Sequence, residues 1–102
     1  MTSQQYIIFL TPTRDSFLKD ATPDELSIVD QHFDYLKGLL AGGQLILAGR
    51  CQDKPLGIAV VEARDAAAAQ AVAQNDPAVR SGVFQAQVEA YRVALLRPAQ
   101  GG

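Results

Sequence analysis

The chain is short of the residues that most chemistry-bearing motifs require. It has one histidine, His32, one cysteine, Cys51, and nine lysines and arginines against eleven acids. A single cysteine forms no internal disulfide, and it fits a reducing compartment. The cations are scattered and the formal net charge is -2, so the footprint of a nucleic-acid binder is missing. No Lys/Arg cluster suits an anionic membrane surface, and no uninterrupted apolar run is long enough to span a bilayer. No positively charged segment leads into an apolar stretch near the start. The expectation is a soluble, cytoplasmic protein with no nucleic-acid or membrane partner. One His, one Cys and scattered acids give no zinc-ligand spacing, and neither GxGxxG nor GxxxxGK[ST] occurs. No metal and no cofactor are expected.

What is present supports one domain. The 102 residues are 48% hydrophobic, enough for a modest core and too apolar for wholesale disorder. The domain is expected to span 1–102, with a core from about 6 to 96 and a loose tail over 97–102.

YIIFLT (6–11) reads as a buried strand, rich in β-branched and aromatic residues. A polar connection follows to Thr22, where a capping box forms: Thr22 as cap, Pro23 at the first helical position and Glu25 three residues after the cap. The helix it opens carries Leu26, Val29, Phe33, Leu36 and Leu40 as one stripe, widened by Ile28, Tyr35 and Leu39. Gly42 and Gly43 end it. QLILAGR (44–50) and LGIAVVEA (56–63) are the next two strands, and DAAAAQAVAQ (65–74) is a helix capped by Asp65. Asp76 and Pro77 restart one short turn, and FQAQVEAYRVALL (84–96) supplies the last strand. The order β-α-β-β-α-β predicts an α+β, ferredoxin-like sandwich with both helices on one sheet face. Several strands are apolar on both alternating faces, which helices on one side do not explain. A second subunit packed sheet to sheet would, so a homodimer is expected.

His32 shares a helical row with Ile28, Leu36 and Leu39, so its ring points toward or beside the packed face. Two readings stand there: a packed histidine satisfied locally, or a general acid/base, which imidazole suits near neutrality. Asp76 before Pro77 is first an N-cap. A carboxylate has several acceptor sites, so capping leaves room to orient an imidazole as well. Arg50, at a strand end, is a candidate for binding an anionic group, or else a solvated arginine. Tyr6, Tyr35 and Tyr91 carry donors suited to a pocket wall, with Tyr6 and Tyr35 joining Arg50 as candidate substrate-binding residues. Cys51 reads as a small core residue, since no second histidine is present to activate it.

Taken in order, YIIFL, HFDYLKGLLAGG, LILAGR, LGIAVVEA, DAAAAQAVAQ and NDPAVRSGVFQ resemble the YCII-related domain family, over roughly residues 6 to 96. The combination of H-x₃-L-x₃-L-x₂-G (His32, Leu36, Leu40, Gly43), L-x₂-A-G (Leu45, Ala48, Gly49) and the D-P step with its following Gly82 carries the resemblance. It implies a ferredoxin-like protein of the dimeric α/β-barrel group. It also implies an acid/base pair formed by the histidine of the first long helix and the aspartate of the D-P step, here His32 and Asp76. The function so implied is cofactor-free proton transfer, elimination or isomerisation on a small anionic or phenolic metabolite. The alternatives are a small-ligand binding module without catalysis, or a structural dimeric accessory protein. The chain departs from common family patterns at Arg50 and Cys51, where relatives often carry proline, and at Ala78, where a larger apolar residue often stands.

Overall fold

A computed structural model describes residues 4–98. Its elements run β1 (Gln4–Pro12), α1 (Phe17–Asp20), α2 (Pro23–Ala41), β2 (Leu45–Arg50), β3 (Gly57–Ala63), α3 (Ala66–Gln74), α4 (Pro77–Arg80) and β4 (Phe84–Ala90). The strands form one four-stranded sheet in the order β2-β3-β1-β4, with every neighbouring pair antiparallel. This is the ferredoxin-like arrangement expected from the element order.

Local chemistry explains the element ends. The Thr22 hydroxyl accepts from the Glu25 amide at 3.1 Å and the Glu25 carboxylate accepts from the Thr22 amide at 2.8 Å, closing the capping box around Pro23. At the far end of α2 the chain reverses at Gly43, whose φ of 84° suits a residue without a Cβ. Asp65 caps α3 by accepting from the Ala68 amide at 2.8 Å.

The core lies between the sheet and the helices. Tyr6, Ile8 and Leu10 of β1, Leu45 of β2 and Ala59, Val61 and Ala63 of β3 meet Ala69 and Ala73 of α3. The two alanines are essentially inaccessible, so α3 sits close to the sheet, as its small side chains allow. Val61 is the most deeply buried large side chain, and burial of a valine contributes about 1.5–3 kcal/mol. On the reverse face Ile7 pairs with Val60 and Phe9 with Ile58, while β4 presents Gln85, Gln87 and Glu89 there.

Three expectations are corrected. The polar connection after β1 contains one helical turn, α1, with Phe17 buried. Arg14 organises it, binding Ser16, Asp20 and Glu25 at once. The last strand stops at Ala90 rather than Leu96. Ala90 already pairs with Tyr6 and Tyr91 donates to the Gln5 carbonyl, so the ladder runs out where β1 begins; Val93 takes the Gln5 side chain instead. The apolar stripe of α2 is also rotated. Leu26, Phe33 and Leu40 are more than half exposed, and the inner row is Ile28, His32, Tyr35, Leu36 and Leu39. Two polar attachments on that row, described next, set the rotation. Within the expected loose tail, residues 99–102 lie outside those described.

Candidate active site

Two elements far apart in sequence meet at His32 and Asp76. His32 lies on the inner row of α2, and Asp76 is the N-cap of the four-residue helix α4. The cap is made by Asp76 Oδ1, which accepts from the Ala78 amide at 2.9 Å. That bond leaves Oδ2 turned toward α2, where His32 Nδ1 lies 2.6 Å away. An ionised carboxylate is acceptor-only, so Nδ1 donates and carries the proton. Asp76 is 3% exposed and is the only buried charged residue among those described. Its two bonds therefore do separate work, one stabilising the turn and one fixing the imidazole.

The other ring nitrogen is left open. His32 Nε2 makes no hydrogen bond within the described chain, and no buried side-chain nitrogen or oxygen there lacks a partner. Nε2 thus reaches the surface, although the side chain as a whole is only 13% exposed. With Nδ1 protonated, neutral His32 presents Nε2 as a proton acceptor. A histidine with one nitrogen tied to a buried carboxylate and the other open is arranged for general acid/base chemistry.

Aromatic side chains wall the imidazole on one side. The Phe84 ring stands edge-on to it at 5.3 Å and 85°, and Phe17 stands edge-on to Phe84 at 5.7 Å and 69°. The α1 segment is pinned so that Phe17 reaches this place. Thr13 bonds to the Gly82 and Val83 carbonyls at one end, and Arg14 binds Asp20 and Glu25 at the other. The Arg14 guanidinium, through hydrogen bonding first and charge second, holds Glu25 down to about 2 and Asp20 below the usual carboxylate range.

Tyr35 stands on the inward side of the pair. Its hydroxyl donates to the Val72 carbonyl of α3 at 2.7 Å. Burial first, and then the Asp76 charge, pushes the phenol above its ordinary range, so it stays neutral. The recess between Tyr35, Asp76, Leu10 and Leu36 is only about 10 Å³, close to the minimum for one water. A ligand must therefore reach His32 from outside, at Nε2.

The remaining sequence candidates are distributed as follows. Arg50 is exposed at the end of β2, opposite Gly57, which in turn faces Leu10. This is the end of the sheet that carries Phe84, three strands over and so roughly 14 Å across. No hydrogen bond or ion pair joins Arg50 to the His32–Asp76 pair. Tyr6 lies toward the opposite end of β1, buried, with its hydroxyl donating to Gln4 Oε1 at 3.0 Å. Tyr91 follows β4 and is half exposed. Cys51 is half-buried after β2, its amide bonded to the Leu56 carbonyl. Among the described residues no three His, Cys, Asp or Glu side chains gather as a metal-binding group, and no helix is long and apolar enough to cross a membrane.

Sequence reasoning missed Phe17, Phe84 and Arg14. Phe84 opens a strand and reads as core, and Phe17 stands alone in a polar stretch. Only the spacing of Arg14, Asp20 and Glu25 hinted that this stretch is tied down.

Fold and site together define a ferredoxin-like α+β domain with a carboxylate-oriented histidine between its helical layer and the end of its sheet. The chain belongs to the YCII-related domain family, whose model matches residues 5–93. Among solved structures it is similar to 5-chloro-2-hydroxyhydroquinone dehydrochlorinase from Burkholderia phenoliruptrix AC1100, in complex with 2,5-dihydroxybenzoquinone. The identity is 18%, the TM-score 0.67, and the match covers 86% of this chain and 93% of that one. At that identity the likeness establishes the fold alone. No curated protein matches the chain.

Proposed function

We propose that the protein is an acid/base enzyme that removes and returns protons on a small anionic or phenolic ring compound, without a cofactor. The observation that carries this reading is the division of labour at His32: Nδ1 donates to buried Asp76, and Nε2 is open. In the reaction Nε2 takes a proton from a carbon or hydroxyl of the substrate. The Asp76 carboxylate stabilises the imidazolium that results. The electron pair left behind either forms a double bond as a leaving group departs with its own pair, or shifts along the conjugated ring system. In the second case the proton on Nε2 returns at another atom. Elimination and isomerisation are thus two outcomes of one proton abstraction.

The similar structure, a dehydrochlorinase bound to a dihydroxybenzoquinone, supports the elimination branch and a flat ring as substrate. The edge-on pair Phe84 and Phe17 gives such a ring an apolar wall beside His32. Arg50, at the same end of the sheet, is assigned to a carboxylate or phenolate of the substrate, where it stabilises developing oxyanion charge. Tyr35 holds the α2–α3 contact and stays neutral beside Asp76. Tyr6, bonded to Gln4 away from this end, takes no part in the reading. The working unit is a homodimer in which a second copy covers the apolar centre of the reverse sheet face.

The test is a panel of hydroxylated and halogenated quinols in D₂O, followed by NMR for carbon-bound deuterium and by halide release. The wild type is expected to exchange or eliminate, and His32→Gln to lose about 10²–10⁴-fold. Turnover undiminished in His32→Gln would sink the reading. Saturable binding with no turnover of any ring compound would make the protein a binding module.

A further inference from the structure

The side of α2 that faces away from the site carries a second pattern. At about 100° per residue, side chains seven apart return to nearly the same direction. Leu26, Phe33 and Leu40 therefore form one row along the 19-residue helix. They are 52%, 59% and 56% exposed. Isolated exposed apolar residues are ordinary, but three large ones aligned on one helix are not. By comparison, Leu47 is, among the described residues, the only large apolar side chain on a strand that is exposed, at 38%. The row lies on the flank away from Tyr35, whose hydroxyl reaches α3. It therefore looks past β2, which is an edge strand.

Between the exposed residues lie Val29 and Leu36, both half-buried. Leu26, Val29, Phe33, Leu36 and Leu40 repeat with the alternating three- and four-residue spacing of a two-helix seam. Two exposed charges, Asp30 and Lys37, edge the row on its outer side. They stand nearly symmetrically about Phe33. A parallel partner helix would set the Asp30 and Lys37 of one copy across the seam from those of the other, so that neither meets its opposite charge. An antiparallel copy, with a two-fold axis at Phe33, brings each Asp30 opposite a Lys37, each Leu26 opposite a Leu40, and Phe33 onto its own counterpart.

We propose that this flank of α2 is a self-association surface, occupied by α2 of a second copy in antiparallel orientation. The arrangement is isologous and closes on itself. Its apolar centre and charged rim follow the usual anatomy of an interface. In the single chain Lys37 lies over the Phe33 ring at 5.1 Å and 3.5 Å from Asp34. Both members of that ion pair are exposed, so the contact is weak and Lys37 is free to turn toward a partner. A helix of this length is about 28 Å long, and one helix pair buries less than the roughly 800 Å² per partner of a stable interface. The contact is accordingly weak alone and strong only when another contact joins the same chains. It does not depend on the reading of the reverse sheet face, and combined with pairing there it joins dimers into a larger assembly.

The experiment is sedimentation of the full chain over a wide concentration range. The variants are Phe33→Glu, Asp30→Lys, Lys37→Asp and the double reversal Asp30→Lys/Lys37→Asp, each checked for fold by circular dichroism. Phe33→Glu is expected to abolish one association step. Each single reversal is expected to weaken that step by about tenfold, and the double reversal to restore it. Restoration is the specific result, because only antiparallel pairing of identical helices makes the double variant complementary again. If Phe33→Glu associates as the wild type does, or if the double reversal stays as weak as the singles, the proposal falls. Leu47→Glu, on the reverse sheet face, serves as the contrasting variant: an association step lost there and kept in Phe33→Glu upholds the sheet-face dimer and overturns this one.

Discussion

A single carboxylate does two jobs here, and a single substitution separates them. Asp76 Oδ1 accepts from the Ala78 amide and Oδ2 from His32 Nδ1. In Asp76→Asn the carbonyl oxygen keeps the backbone bond, so the NH₂ group takes the place of Oδ2 and donates toward Nδ1. The imidazole must then accept at Nδ1 and carry its proton on Nε2, the tautomer that cannot act as a base at the open nitrogen. Long-range ¹H–¹⁵N NMR on neutral His32 is expected to show the proton on Nδ1 in the wild type and on Nε2 in Asp76→Asn. Turnover should fall about 10²–10⁴-fold while the turn at α4 survives. Asp76→Ala, in contrast, removes the cap as well, at a cost of about 1 kcal/mol for that interaction. The same tautomer in wild type and Asp76→Asn would show that the carboxylate does not set the proton's position.

Among the elements, α1 is the piece whose place depends most on charge. Arg14 ties Asp20 at its end to Glu25 in the first turn of α2, and Phe17 between them reaches the aromatic wall of the site. Glu25 is held at about 2 against a reference of 4.5, so its folded-state pKa is depressed. Such a group contributes stability that is fully present above the reference value and is lost as pH falls through the depressed one. Asp20 shifts in the same direction. Thermal unfolding of the wild type should therefore decline between about pH 4.5 and about 2, and Glu25→Gln should flatten that part of the curve. Equal slopes in the two proteins would remove the clamp from the account. This element also marks the limit of what the sequence disclosed. The capping box at Thr22, the cap at Asp65, the reversal at Gly43 and the restart at Pro77 were all legible, because each depends on a few adjacent residues. The strand order followed from the element order, and the row of His32 from helical period. What could not be read was which row of α2 faces inward, since apolar residues occupy two of its sides. The bonds from His32 to Asp76 and from Tyr35 to Val72 span 44 and 37 residues, and they decide it. The end of β4 was equally hidden, because a strand stops where its neighbour does, whatever its own propensity.

At the scale of the whole molecule the two faces of the sheet differ in what covers them. Helices cover one face only, and the other carries Ile7, Phe9, Ile58, Val60 and Leu47 at its centre beside the polar row of β4. Ile7 and Val60 are already buried within one chain, at 6% and 2%, whereas Leu47 is 38% exposed. A charge at position 47 can therefore be solvated in an isolated chain but not beneath a second sheet. Burying an unpaired carboxylate costs several kcal/mol, far more than the loss of one partly exposed leucine. Leu47→Glu should thus leave the melting of the single chain almost unchanged while shifting the proposed sheet-face association to much higher concentration, so that light scattering reads half the wild-type mass. A mass equal to wild type at the same concentration would mean that this face is not where two chains meet. A wild type that sediments as a single chain at every concentration would mean that the apolar centre is served by its own neighbours, with the His32 site complete in one copy.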